Sequence, residues 1–224
     1  MMSKKIRLAI DMDGVIVNIL QPWLEKYNTE TGENIQVEDI KEWDLFKTVK
    51  QPKILNKILL SKHFFSTPKP YLDVLDVFPK LLKDERFEVF VLTRVPRGSE
   101  RGMFEKRMWL KNHFNFPQEN FIAAHKKFMI CADLLLDDQI ENLRDFKKED
   151  PKRLSVCFDH PYNQGAICDA RVKSWKEFSL LLDKIWDTKR TVKQTKCNRH
   201  KDCSKKKQGS ECCFSSTCEE CFGY

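Results

Sequence analysis

The chain has 224 residues, 41% of them apolar and 33% charged, and a formal net charge of +7. That length is enough to bury a sizeable core in one domain plus an appendage, and the composition excludes a disordered or fibrous chain. No apolar run approaches a membrane span, and the short one near the N-terminus is interrupted by charge, so a cytoplasmic protein is expected.

The basic excess is local. Residues 188–224 hold nine Lys/Arg against four Asp/Glu, which leaves only +2 for residues 1–187, so nucleic-acid binding is not expected of the main domain. Six of the nine cysteines (Cys197, Cys203, Cys212, Cys213, Cys218 and Cys221) lie in the same tail. In a cytoplasmic setting such thiolates point to a Zn²⁺ site or a flexible basic segment before a disulfide framework. Cys131, Cys157 and Cys168 stand singly in apolar surroundings and are expected in the core.

In chain order, the apolar run Leu8-Ala9-Ile10 meets two carboxylates, Asp11 and Asp13, followed by Gly14 and a second apolar run. Side chains two apart on a strand point the same way, so the two acids can converge on one ligand where the strand ends. Spacing of three and four from Ile19 to Tyr27 predicts a helix, with further helical stretches from Val37 through Trp43 to Phe46 and from Ile54 to Leu59. Residues 66–70, STPKP, form a rigid extended connector. Residues 19–68 therefore form a small helical insertion after the first strand.

Helical spacing then runs from Val74 to Leu82, followed by an apolar strand over residues 87–92 that ends at Thr93-Arg94. Residues 101–114 make a basic helix containing Lys106, Arg107 and Trp109, and residues 121–124 a short strand leading to Lys126-Lys127. Leu134-Leu135-Leu136 ends in the paired acids Asp137-Asp138. A strand over 154–158, a loop over 160–165 and an amphipathic helix over 174–186 complete the main domain, residues 1–187, before the tail, residues 188–224. Strands alternating with helices argue an α/β fold, a doubly wound parallel sheet.

Four strand ends thus present Asp11 and Asp13, Thr93, Lys126/Lys127, and Asp137/Asp138. In order and spacing this set resembles the four motifs of the haloacid-dehalogenase-like (HAD) phosphatases. The run Lys127, Asp133, three leucines and Asp137-Asp138 is similar to the 5′(3′)-deoxyribonucleotidase pattern, as are HFF at 63–65, KRMWLKNHF at 106–114, HPYN at 160–163 and RVKSW at 171–175. The resemblance covers residues 5–187 and selects Lys127 over Lys126. It implies a phosphatase of nucleoside monophosphates with Asp11 as nucleophile, Asp13 as acid/base, and Thr93 and Lys127 contacting the phosphoryl oxygens. It also implies a Mg²⁺ ion held by Asp11, the main-chain carbonyl of Asp13 and an acid of the Asp137-Asp138 pair.

Three departures bear on the substrate, one of them Asn18, at a position often acidic in the family. The relatives continue the second motif as Thr-Ser-Pro, where this chain has Thr93-Arg94-Val95-Pro96, and Phe128 stands where a Thr is usual after the motif lysine. Arg94 is a candidate phosphate or base contact, or a surface arginine. Trp43, Phe46 and Phe65 of the insertion offer surfaces on which a base stacks, or else fill the core of that insertion. His63, His113 and His160 have no partner at metal-ligand spacing and are expected as ordinary surface or loop residues. Another small phosphate ester as substrate, or binding through the tail without catalysis, are the other readings; a homodimer is compatible with the sequence and not specified by it.

Overall fold

The structure, a computed structural model, describes residues 4–204, with side chains to residue 191. Six parallel strands form one sheet in the order β3-β2-β1-β4-β5-β6. The inner strands are β1 (Ile6–Asp11), β2 (Phe87–Thr93), β4 (Leu134–Asp137) and β5 (Leu154–Phe158), with β3 (Phe121–Ala123) and β6 (Ala170–Val172) at the edges. A parallel sheet is buried on both faces, which is why its inner strands read as nearly unbroken apolar runs. Leu8, Ala9, Ile10, Leu134, Leu135 and Leu136 are all fully buried.

The order of strands reverses at β1, flanked by β2 on one side and β4 on the other. Asp11 lies opposite Leu92 and Ile10 opposite Leu136, so Asp11, Thr93 and Asp137 finish at one level. Open α/β sheets bind their ligands in the crevice at such a reversal.

Between β1 and β2 lie the insertion and α3 (Val74–Lys83). The insertion holds α1 (Leu20–Thr31) and α2 (Pro52–Leu59) around an apolar cluster of its own that includes Leu24, Tyr27, Leu55, Ile58 and Phe64. Helix α1 stops at Gly32, whose left-handed backbone (φ 74°) lets its N–H cap the Asn28 carbonyl. Residues 37–46 do not form the helix expected from their spacing. They make two separate 3₁₀ turns, Val37–Asp39 and Leu45–Lys47, because the carboxylates of Asp39 and Asp44 bond the backbone N–H groups of Gln36 and Phe46 and close each turn locally.

The two chain crossings into the insertion run side by side. Val17 bridges Pro70 in antiparallel fashion, Asn18 N donates to the Lys69 carbonyl at 3.0 Å and Tyr71 N to the Ile16 carbonyl at 3.1 Å. The return crossing is also tied to α4 (Gly102–Phe114), where the buried Trp109 Nε1 donates to the Pro68 carbonyl at 2.7 Å.

After β4 come α5 (Ile140–Glu149), β5 and β6. Strand β6 is too short, at three residues, for alternation to be readable in the sequence. The last helix, α6 (Trp175–Ser204), continues past residue 186, where its end was expected, into the basic segment. The chain divides into two compact units, one ending at Ser179 and the other beginning at Leu180. Of the cysteines read as a zinc site, the side chains of Cys197 and Cys203 and the whole of Cys212, Cys213, Cys218 and Cys221 lie outside the described residues. Cys157 is buried and Cys168 half-buried, but Cys131 is exposed, against the expectation of a core residue: on the loop before β4 its neighbour Ala132 takes the inward position.

Trp175, the first residue of α6, packs within the first unit against the loop after β1. It is fully buried, and its Nε1 donates to the Val15 carbonyl at 2.8 Å. Replacing it with Phe leaves that carbonyl without its donor, a change expected to cost about 1–3 kcal/mol in urea unfolding. An unshifted midpoint would show that the carbonyl finds another partner.

Candidate active site

The loop after β1 folds back tightly on itself. Gly14 N donates to the Val17 carbonyl and Ile16 N to the Met12 carbonyl, both at 2.9 Å, which turns Asp11 and Asp13 out of the strand end. Gly14 has φ 78°, and a Cβ there would lie 2.6 Å from Asp138 Oδ2 and 3.2 Å from the Tyr162 hydroxyl. Both the backbone and the space demand glycine. His160 Nε2 sits 2.6 Å from the Gly14 carbonyl, and its ring stacks on Tyr162 at 4.9 Å. A carbonyl only accepts, so this nitrogen is the donor. Burial pushes the His160 pKa down, which favours a neutral ring. His160 is thus a support of the loop after β1 rather than an ordinary loop histidine.

Asp11, Asp137 and Asp138 converge at the strand ends, each bringing a ligand oxygen within 4.8 Å of the others. Lys127, in the 3₁₀ turn Lys127–Met129, lies 2.6 Å from Asp11 Oδ1 and 2.7 Å from Asp137 Oδ2. It is 2% exposed, whereas the neighbouring Lys126 is exposed. Burial alone would lower the Lys127 pKa, but the two carboxylates outweigh it and the value is raised. Burial, and then the neighbouring carboxylates Asp11 and Asp137, raise Asp138 well above the usual carboxylate range.

Asp137 is saturated by protein donors. Besides Lys127 it accepts from Gln139 N at 2.9 Å and from Asn142 Nδ2 at 3.1 Å on each oxygen. Asp138 accepts from the Tyr162 hydroxyl at 2.6 Å on Oδ2, while Asn163 Nδ2 holds its carbonyl. Three buried carboxylates facing one ammonium are short of positive charge, and their hard oxygens suit a small divalent cation such as Mg²⁺.

Asp13 turns the other way, toward α4. Lys106 Nζ donates to Asp13 Oδ2, to Thr93 Oγ1 at 2.8 Å and to the Arg94 carbonyl at 2.6 Å. From the sequence Lys106 was read only as part of a basic helix and Glu105 not at all, although a signal exists: buried Gly102, Glu105, Lys106, Trp109 and Leu110 fall on one helical stripe. Two charges on the inward stripe of a helix need partners. Glu105 finds them in His63 N at 2.9 Å and Phe65 N at 3.2 Å, holding the return crossing of the insertion.

Above Asp13 and Asp138 opens a cavity of about 350 Å³, walled by the insertion and the loop after β2. The candidate substrate contacts Trp43, Phe46, Phe65 and Arg94 all line it, and they differ in what they can offer. Phe65 is 3% exposed and Phe46 packs edge-on against Trp23, so both are mainly wall. Trp43 is 45% exposed, and the Arg94 guanidinium lies 5.7 Å from its ring centre. Arg94 Nη2 donates to Asn142 Oδ1 at 3.0 Å, so the arginine is anchored at the cavity wall and not free on the surface.

The description "5′ nucleotidase, deoxy (Pyrimidine), cytosolic type C protein" matches residues 4–186 of this chain. The 5′(3′)-deoxyribonucleotidase of Bacillus subtilis is 29% identical over 177 residues, which span 78% of this chain and 96% of the relative. The Clostridium acetobutylicum enzyme of the same name is 28% identical over 186 residues, 82% and 98% of the two chains. The human cytosolic-type 5′(3′)-deoxyribonucleotidase is 24% identical over 189 residues, 79% and 92%. Among solved structures, a haloacid dehalogenase-like protein from Agrobacterium tumefaciens matches with a TM-score of 0.55 at 13% identity, over 81% of this chain and 99% of that one, which establishes the shared fold. With the family description running from the first strand into the last helix, the chain belongs to the cytosolic type C 5′ (deoxy, pyrimidine) nucleotidase family of phosphoric monoester hydrolases, built on the HAD-like fold.

Proposed function

We propose that this protein hydrolyses deoxyribonucleoside 5′(3′)-monophosphates through an aspartyl-phosphate at Asp11. The observation that carries the reading is the convergence of Asp11, Asp137, Asp138 and Lys127 at one sheet edge, beneath a cavity with an exposed tryptophan. The names of the bacterial and human relatives support the substrate class. Cytoplasmic residence is the matching expectation, supported by the human relative named as the cytosolic type.

In the first half-reaction an Asp11 carboxylate oxygen attacks phosphorus, the bond from phosphorus to the ester oxygen breaks, and Asp13 delivers a proton to the departing alcohol. In the second half Asp13 takes a proton from water, whose oxygen attacks phosphorus and releases phosphate with Asp11 regenerated. Two of the three Lys127 protons lie on Asp11 and Asp137, which leaves one for a phosphoryl oxygen. The Thr93 hydroxyl, which accepts from Lys106, can donate its own proton to another.

Mg²⁺ fits this site. Asp137 is saturated by Lys127, Gln139 and Asn142, so Asp11 and Asp138 are the carboxylates left to ligate, together with the main-chain carbonyl of Asp13. The ion would neutralise charge on the transferring group. In the cavity, Trp43 is the surface on which a base would stack, with Arg94 beside it.

Asp11→Asn, which is isosteric, should lower kcat by about a thousandfold or more while the melting temperature stays within a few degrees. Residual turnover above about a tenth of the wild type would remove Asp11 from the role of nucleophile. Asp13→Asn should cost about 10²–10⁴-fold on a deoxynucleotide and much less on p-nitrophenyl phosphate, whose leaving group needs no proton; equal losses would argue against an acid.

Trp43→Ala should raise KM for a deoxynucleotide by about 5- to 150-fold, the equivalent of losing one stacked base, and leave that for p-nitrophenyl phosphate nearly unchanged. Phosphate release should stop in EDTA and return with Mg²⁺ across a panel of nucleotides. Full turnover in EDTA would exclude the metal ion from the reaction.

A further inference from the structure

Lys106 is the charged group at this site to which the reaction above gives no task. Its side chain is fully buried on α4, and burying an ammonium is tolerable only when every proton has a partner. It has three: Asp13 Oδ2, Thr93 Oγ1 and the Arg94 carbonyl, while the Phe65 ring closes the remaining side with its centre 4.6 Å away. Lys127 keeps a proton for substrate; Lys106, with all three on protein acceptors, does not.

The other acids of the site have independent anchors. Asp11 accepts from Met12 N at 2.7 Å and Asp137 from Gln139 N at 2.9 Å. Asp13 is more exposed, at 27% of its side chain, and among the described residues Lys106 is the one donor to its carboxylate. Without that contact nothing holds the Asp13 carboxylate against free rotation into the cavity. We propose that Lys106 is a positioning residue: it fixes the Asp13 carboxylate and does not bind the phosphoryl group. The inference rests on Asp13 acting as the acid/base.

The same turn of α4 is anchored to the insertion. Glu105, the preceding residue, accepts from His63 N and Phe65 N, and Trp109, one turn on, donates to the Pro68 carbonyl. The position of Asp13 is therefore referred through Lys106 to the segment that returns from the cavity wall.

A double-variant cycle tests the proposal, with Lys106→Met, Asp13→Asn and the pair assayed on a deoxynucleoside monophosphate and on p-nitrophenyl phosphate. Lys106→Met should lower kcat on the nucleotide by about a hundredfold, the scale of a misplaced catalytic group, and should spare p-nitrophenyl phosphate as Asp13→Asn does. KM and inhibition by inorganic vanadate should stay within about threefold of the wild type, because no phosphoryl contact is removed. The paired variant should be no slower than Asp13→Asn alone. Multiplying losses in the pair, or weakened vanadate inhibition, would overturn the proposal in favour of a separate role on the phosphoryl group. Equal losses on both substrates would reduce Lys106 to a structural residue. Running the cycle with Lys106→Gln, which retains a donor, covers the case of a methionine variant that does not fold. Failure of the underlying reading is distinguishable, since Asp13→Asn would then keep wild-type kcat.

Discussion

The ammonium of Lys127 between Asp11 and Asp137 is the contact on which the carboxylate-bearing edge of the sheet depends. Moving one carboxylate out of water costs several kcal/mol even after relaxation, and here three of them meet at the end of a buried sheet. A lysine at 2.6 and 2.7 Å from two of them offsets part of that cost, and backbone N–H groups from Met12 and Gln139 offset more. What remains uncompensated is concentrated at Asp138, whose pKa burial and the neighbouring Asp11 and Asp137 carboxylates push well up.

From that contact a line of polar groups runs outward. Asp137 orients the Asn142 amide, whose oxygen then accepts from Arg94, and the Arg94 guanidinium lies beside Trp43 at the cavity wall. Asn142 cannot flip its amide without breaking bonds at both ends. The cavity wall and the charge balance at the sheet edge are consequently linked by one chain of hydrogen bonds.

The sheet was legible because apolar runs that end in acids or threonine have few other readings in an α/β chain; Leu134-Leu135-Leu136-Asp137-Asp138 is the clearest example. Lys127 was separable from Lys126 only through the family spacing, since adjacent lysines look alike until one of them is buried. Lys106 was named in its basic helix but not assigned to the site, for another reason. Its helix is basic, and a lysine in such a helix reads as solvated unless the stripe shared with Trp109 and Leu110 is traced. His160 and Tyr162 act across 146 and 24 residues of sequence, through contacts with Gly14 and Asp138 that no local pattern announces. The two 3₁₀ turns at Val37–Asp39 and Leu45–Lys47 were hidden by apolar spacing that mimics a helix, while aspartates beside them closed shorter turns.

The paired crossings at Val17 and Pro70 carry a consequence for how such proteins diversify. Because the two ends of the insertion are already hydrogen-bonded to each other, some fifty residues hang from a closed neck, and the sheet beneath neither gains nor loses a strand if they are exchanged. Closure entropy grows only slowly with loop length, so inserts of quite different size can be mounted on the same neck at similar cost. The insertion can then be exchanged at a single junction while the carboxylates and lysine stay where the sheet puts them. A sheet edge of this kind is a reusable base plate, and the insertion above it is a detachable part.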